Sequence, residues 1–209
     1  MKEILGKKLG MTRVFTETGE AIPCTVIQAG PCPVVAKKTV EKDGYDAYQV
    51  GFGPRKKKNT TKPMAGHFAK AGVEPTQYLR EIRFDEAELE VGKDLTVAAF
   101  TKGEKVDVSG TSRGLGFQGG MKRHHFNGAN VTHGQSDRWR APGSIGSSSY
   151  PSRVYKGQRM AGRMGRESVT VANLEVVKII DSEHLMLVRG AVPGHRGALL
   201  KIRKTKRGR

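Results

Sequence analysis

The chain has 209 residues, with 37 Lys or Arg against 20 Asp or Glu, a formal net charge of +17 and a sequence pI near 10.1. That balance points to a polyanionic partner, a nucleic acid or an anionic membrane surface. No apolar run approaches the ~20 residues of a spanning helix, and the basic regions are too rich in Gly and Pro for an amphipathic surface helix, so nucleic acid is the favoured reading.

The opening stretch, MKEILGKKLGMTRVF, shows neither a secretory apolar run nor a small-residue cleavage site, and a cytoplasmic protein is expected. Cys24 and Cys32 are the only cysteines; in that setting they are expected reduced and packed as small apolar groups.

Ile4 to Phe15 carries Gly6 and Gly10 around Lys7 and Lys8 and reads as a strand or turn pair near a binding surface. Thr18-Gly19-Glu20 is a turn signal, and Ala21 to Gln28 (AIPCTVIQ) is a β-branched strand. Gly30-Pro31 breaks it, and Pro33 to Lys38 starts another. Lys42-Asp43-Gly44 contains a hairpin dipeptide, with Ala47 to Phe52 as the return strand. Arg55, Lys56, Lys57 and Lys58 form a run of cations in a loop; beside a solvated turn, a phosphate contact is the preferred reading in a chain this basic.

Pro63 to Ala71 predicts a short helix stopped by Gly72. His67 within it reads as a packed or surface residue. Leu79 to Phe84 and Leu95 to Phe100 are further expected strands. Glu81, Asp85, Glu86, Glu88 and Glu90 make one acidic patch, read as a solvent face turned away from the polyanion. Lys105 to Val108 alternates. Ser168 to Ile180 (SVTVANLEVVKII) is the strongest strand signal, followed by His184 to Arg189 and Ala198 to Arg203, with Pro193-Gly194 turning between those two. The tail Lys201 to Arg209 carries six cations and no acid.

Between those strands lies Gly110 to Arg166, which holds ten Lys or Arg, one acid and twelve glycines. Its cations are Arg113, Lys122, Arg123, Arg138, Arg140, Arg153, Lys156, Arg159, Arg163 and Arg166. It shows neither a helical stripe nor a strand alternation. Such a segment cannot bury enough apolar surface to offset its ordering entropy, so either it is disordered or a partner orders it. A polyanion is the natural candidate, because it neutralises the mutually repelling cations. Glycine lets backbone N–H groups approach phosphates closely.

Catalytic readings fail on spacing. Gly114 to Gly119 matches G-x-G-x-x-G, but no helix-length apolar period follows, so a dinucleotide site is rejected. His124, His125 and His133 have no cysteine partner and two are adjacent, so no metal site is expected; they fit better as groups facing RNA. Ser147, Ser148 and Ser149 form no nucleophile motif. The chain is read as non-enzymatic, with no cofactor and no small-molecule substrate. Phe117, Phe126, Trp139, Tyr150 and Tyr155 are flat groups able to stack on unpaired bases at ~1–3 kcal/mol each; Phe117, nearest the strand entry, is expected instead to anchor the segment to the body. The fold class expected from the strands is mainly β, a barrel or sandwich.

Several motifs carry a resemblance: Gly6 to Thr12 (GKKLGMT), Gly66 to Gly72 (GHFAKAG), Val106 to Ser112 (VDVSGTS), Gly116-Phe117, Pro142 to Gly146 (PGSIG) and Val154 to Gly162 (VYKGQRMAG). In order and over nearly the whole chain they resemble the large-subunit ribosomal protein three family, the universal L-three proteins, in bacterial form. The resemblance implies a six-stranded, translation-protein-type β-barrel spanning 1–105 and 168–209, with 106–167 as a basic extension inserted between strands and threading into 23S ribosomal RNA. It implies support of early subunit assembly, and large-subunit proteins fourteen and nineteen as neighbours. It places the extension tip, Pro142, Gly143, Ser144, Ile145, Gly146, Ser147, Ser148, Ser149, Tyr150, Pro151 and Ser152, near the peptidyl transferase centre.

The expected RNA-contact set is Lys7, Lys8, Arg55 to Lys58, His124, His125, His133, Trp139 and the ten cations of the central segment. Two departures stand out. His124-His125 replaces a Trp-Asn pair frequent in the family. Ser147-Ser148-Ser149-Tyr150-Pro151 replaces Gln-Asn-Gln-Thr-Pro, whose second Gln is N-methylated in some members, so that modification is not expected here. The alternative function, from the charge alone, is a free RNA chaperone or nucleoid-type nucleic-acid binder.

Overall fold

A computed structural model describes residues 2–84 and 89–205. Asp85, Glu86 and Glu88 of the acidic patch lie outside the described residues, as do Lys206, Arg207 and Arg209 of the basic tail. The chain divides into two compact units, one made of Met1–Ser112 and Ser168–Arg209, the other of Arg113–Glu167.

In the first unit, β1 (Glu3–Phe15) and β2 (Ala21–Ala29) form a long antiparallel hairpin. Its turn is closed by the Gly19 N–H on the Thr16 carbonyl at 3.0 Å. The segment from Ile4 to Phe15 is therefore one strand and not a turn pair. A register shift between Lys8 and Gly10 absorbs its irregular sequence.

β3 (Cys32–Lys38) leads into α1 (Val40–Asp43), a single helical turn ended by Gly44 at φ 80°. Asp43-Gly44 is thus a helix stop and not a two-residue hairpin turn; the same left-handed freedom serves either purpose. β4 (Ala47–Pro54) still pairs with β3, Lys38 facing Ala47. α2 (Lys62–Lys70) has Pro63 in its first turn, and Gly72 beyond its end takes φ 68°. β5 (Thr76–Ile82) and β6 (Asp94–Leu95) complete a four-stranded sheet in the order β5-β4-β3-β6.

Leu95 to Phe100 is not the strand expected. After β6 the chain turns through a 3₁₀ segment, Val97–Ala99. Residues three apart superpose on such a turn, so Val97 and Phe100 both enter the core, where each is at most 3% exposed. A strand would have sent them to opposite faces.

β7 (Lys105–Thr111) pairs with β10 (Ser168–Ile180), and β11 (Leu185–Arg189) and β12 (Leu199–Lys204) follow. With β1 and β2 they close a six-stranded barrel, β1-β12-β7-β10-β11-β2, antiparallel throughout. This is the mainly β, six-stranded barrel expected. Thr111 faces Ser168 in the β7–β10 ladder, so the second unit is inserted between two paired strands. Ile4, Leu5 and Ile27 of the barrel share one buried cluster with Val34, Val50 and Ile82 of the four-stranded sheet. Cys24 and Cys32 are free and buried, and burial pushes the Cys32 thiol up to about 12.

Asp107 ties three strands together. From β7, its Oδ1 accepts the N–H of Asn173 at 3.1 Å, and its Oδ2 lies 3.0 Å from Nη2 of Arg203 on β12. Asn173 stands at φ 58°, where the β7–β10 register shifts between Val171 and Leu174. Burial pushes the Asp107 carboxyl up, but the Asn173 N–H, Arg203 and Thr205 together bring it below the ordinary Asp value.

Candidate nucleic-acid interface

In Arg113–Glu167, ten Lys or Arg stand against Asp137 and Glu167, a net +8. No residue from 113 to 167 is buried. This unit has no apolar core, so its conformation is set by backbone geometry and local hydrogen bonds.

Three devices do this. β8 (Gly116–Gln118) pairs with β9 (Gly162–Met164), Phe117 facing Arg163. α3 (Gly120–His124) follows β8 and ends at His125, whose φ of 61° lets its N–H close on the Gly120 carbonyl. From the last turn of α3, Arg123 Nη1 donates to the Met160 carbonyl at 2.8 Å, and His124 Nε2 lies 3.0 Å from the same oxygen. The third device is a loop closed by the Ala129 N–H on the Trp139 carbonyl at 3.0 Å and by Trp139 Nε1 on the Gln135 carbonyl at 3.0 Å. Gly128 is required beneath it: its φ is 77°, and a Cβ there would overlap the Trp139 carbonyl oxygen.

These bonds leave the charges outside. Among the described residues, Lys122, Arg138, Arg140, Lys156, Arg159, Arg163 and Arg166 make no ion pair with a carboxylate. The Arg153 guanidinium stacks over the Tyr155 ring, 5.4 Å from its centroid. His133 is exposed in a left-handed turn at φ 62°. From Pro142 to Ser152 every residue is exposed except the half-buried Pro151. The segment is shaped by side-chain bonds from Ser144 to the Gly146 carbonyl at 2.8 Å and from Ser152 to the Ser149 carbonyl.

Phe117 departs from its expected role. Its ring is 77% exposed on β8, in register with Arg163 of β9, and is not packed into a core of the inserted unit. Tyr150 is 85% exposed, and Trp139 and Tyr155 are also open to solvent. The histidines approach no metal arrangement: among the described residues no group of three or more His, Cys, Asp or Glu could hold an ion.

His124, His125, Phe126, Arg138 and Arg159 border one open cleft of about 660 Å³. Asn127 and Gln135 border it too, and neither was among the expected contacts. Uncharged amides in a Gly-rich loop carry no charge or periodicity that would single them out.

In the first unit, Lys7 is exposed, as are Arg55, Lys56, Lys57 and Lys58, the last two on a 3₁₀ turn. Lys8 is used internally: its Nζ donates to the carbonyls of Val192 and Gly194 at 2.8 and 3.2 Å. His67 is bound within the fold through Nε2, 2.7 Å from Gln49 Oε1. Among the described residues no helix is long and apolar enough to cross a membrane.

A family profile described as ribosomal protein L3 matches residues 53–184. A protein of Chlorobaculum parvum named large ribosomal subunit protein uL3 is 56% identical over 207 residues, covering 98% of this chain and 99% of the relative. The chain belongs to the ribosomal protein L3 family. Proteins of the same name from Chlorobium limicola and Chloroherpeton thalassium are 54% and 53% identical, each covering 99% of this chain and all of the relative. The matched region, residues 53–184, includes the whole inserted unit Arg113–Glu167.

Proposed function

We propose that this L3-family chain is a structural constituent of the large ribosomal subunit in the cytoplasm, binding 23S ribosomal RNA directly through the Arg113–Glu167 unit. One observation carries the reading: the unit is compact and net +8, yet contains no buried residue. A chain segment that cannot stabilise itself by apolar burial gains its ordering energy from a partner, and here the free groups are cations for phosphates and flat rings for bases. Family membership selects ribosomal RNA as that polyanion, and the names of the relatives specify the large subunit.

On this reading the barrel is the folded body and the inserted unit is the extension that enters RNA. Pro142 to Ser152 form its tip and buttress the peptidyl transferase centre. The protein supports early assembly and adjoins large-subunit proteins fourteen and nineteen. It performs no chemistry; it fixes RNA helices in the geometry the RNA catalyst needs. The RNA-facing set is Lys7, Arg55 to Lys58, His124, His125, His133, Trp139 and the cations of the extension. Lys8 supports it from within by holding the loop at Val192 and Gly194.

Ultraviolet crosslinking of intact subunits, followed by peptide and nucleotide mapping, tests this. Crosslinks concentrated between residues 113 and 167 and in 23S RNA are expected. Crosslinks confined to the barrel unit would overturn the assignment of the extension.

A further inference from the structure

We infer that the cleft bordered by His125, Phe126, Asn127, Gln135, Arg138 and Arg159 receives a single unpaired nucleotide of a folded RNA. The inference rests on the reading that the extension binds RNA, and goes beyond it by naming a pocket and the state of the nucleotide that fills it.

The walls come from three separate stretches, held before any ligand arrives. The α3 end positions His125 and Phe126. Arg123 and His124 pin the Met160 carbonyl at 2.8 and 3.0 Å, which fixes the neighbouring Arg159 at the rim. The bonds of Trp139 to Ala129 and Gln135 set Gln135 and Arg138 on the opposite wall.

The lining chemistry selects the ligand. No carboxylate borders the cleft while two guanidiniums do, so its charge favours an anionic ligand over a cationic one. Arg138 and Arg159 make no ion pair with a carboxylate among the described residues, leaving both available to phosphate oxygens. The Phe126 ring, tilted 36° against His124 with centroids 5.8 Å apart, gives an aromatic surface on which a base can stack. Asn127 and Gln135 each offer a donor and an acceptor, the pattern that reads a base edge. At about 660 Å³ the cleft is the size of a small-molecule site (~300–1,000 Å³), too small for a duplex. A base reaches it only when out of its helical stack.

The test compares two RNA hairpins, identical except that one carries a single bulged adenosine, titrated with the full chain by fluorescence anisotropy at 150 mM KCl. The bulged hairpin is expected to bind at least tenfold more tightly. Gln135→Ala and Phe126→Leu are each expected to reduce that preference below threefold while leaving affinity for the paired hairpin within twofold. In a third hairpin with 4-thiouridine in place of the bulged adenosine, the photoreactive base is expected to crosslink within residues 124–143 or at 159. Equal affinity for both hairpins, or crosslinks elsewhere, overturns the pocket while leaving RNA binding intact. Failure of both hairpins to bind at 50 mM KCl overturns the RNA-binding reading itself. A variant that loses the paired hairpin as well is scored as misfolded, and the wild-type crosslink map then decides.

Discussion

Gly6 lies where β1 crosses close under β2. A Cβ at this position would stand 2.8 Å from the Gln28 carbonyl oxygen, 2.9 Å from Ile27 and 3.3 Å from Ile202. Two of these contacts are nearer than packed atoms allow, and one is backbone, which cannot rotate away. Gly6→Ala is therefore expected to destabilise the barrel by about 1–3 kcal/mol, the usual cost of overpacking, measurable as a lower urea midpoint with an unchanged slope. An unchanged midpoint would mean the two strands separate more easily than their geometry indicates. Glycines 6 and 10 were conspicuous in the sequence, but there they suggested an approach to a binding surface. For Gly6 the neighbour is a strand of the same barrel, and one chain read alone does not say which partner a glycine admits. Lys8 repeats the lesson. Its charge invited a phosphate contact, and its ammonium is bound to the Val192 and Gly194 carbonyls, 184 and 186 residues away in sequence.

At the scale of elements, Asp107 is the member that joins β7 to the bulge of β10 and to β12. Asp107→Asn keeps the shape and loses the charge opposite Arg203; a charged hydrogen bond of this kind contributes about 2 kcal/mol. The pH dependence has a definite sign. The folded carboxyl titrates below its ordinary value, so its stabilisation is fully present above the unfolded Asp value of about 3.9 and is lost as pH falls through the lower folded value. The gap in stability between wild type and Asp107→Asn should hold from pH 7 to about 5 and close below about 4 in denaturant titrations. A gap that stays constant to pH 3 would assign the loss to packing and not to charge. The elements themselves were legible to different degrees. Ser168 to Ile180 showed its strand plainly because one long β-branched run dominates its composition. Leu95 to Phe100 misled because Leu95 and Val97 alternate as a strand would, while the burial of Phe100 comes from a 3₁₀ turn. That β3, β4, β5 and β6 form a sheet apart from the barrel depends on long-range pairing that local pattern does not encode.

At the scale of the whole molecule, the division of labour is between a unit with a core and a unit without one. The charge of the extension was visible in the sequence, and so was its inability to fold around apolar groups. The pairing of Gly116–Gln118 with Gly162–Met164 was not, because each strand is three residues long and the two are more than forty residues apart. The cleft was half visible: its histidines and arginines drew notice, and its amides did not. If the units carry separate tasks, charge reversal at Arg138, Arg140 and Arg159 together should leave thermal unfolding of the barrel nearly unchanged, since exposed substitutions shift stability by about 0.5 kcal/mol or less. The same protein should enter large subunits poorly when competing with wild type in cells. A variant that incorporates as well as wild type would remove these three arginines from the interface.

The central claim is that the extension is buried in folded RNA and not tethered to its surface. Sedimentation of lysate through a sucrose gradient after a high-salt wash tests it most directly, with this chain followed by mass spectrometry. Six to ten exposed phosphate contacts would lose a factor of ~10³–10⁵ in affinity between 50 and 200 mM salt, so a surface tether would wash off. Retention in the large-subunit peak at one copy per subunit is the predicted result. Recovery at the top of the gradient would contradict it and leave a free RNA-binding protein in its place.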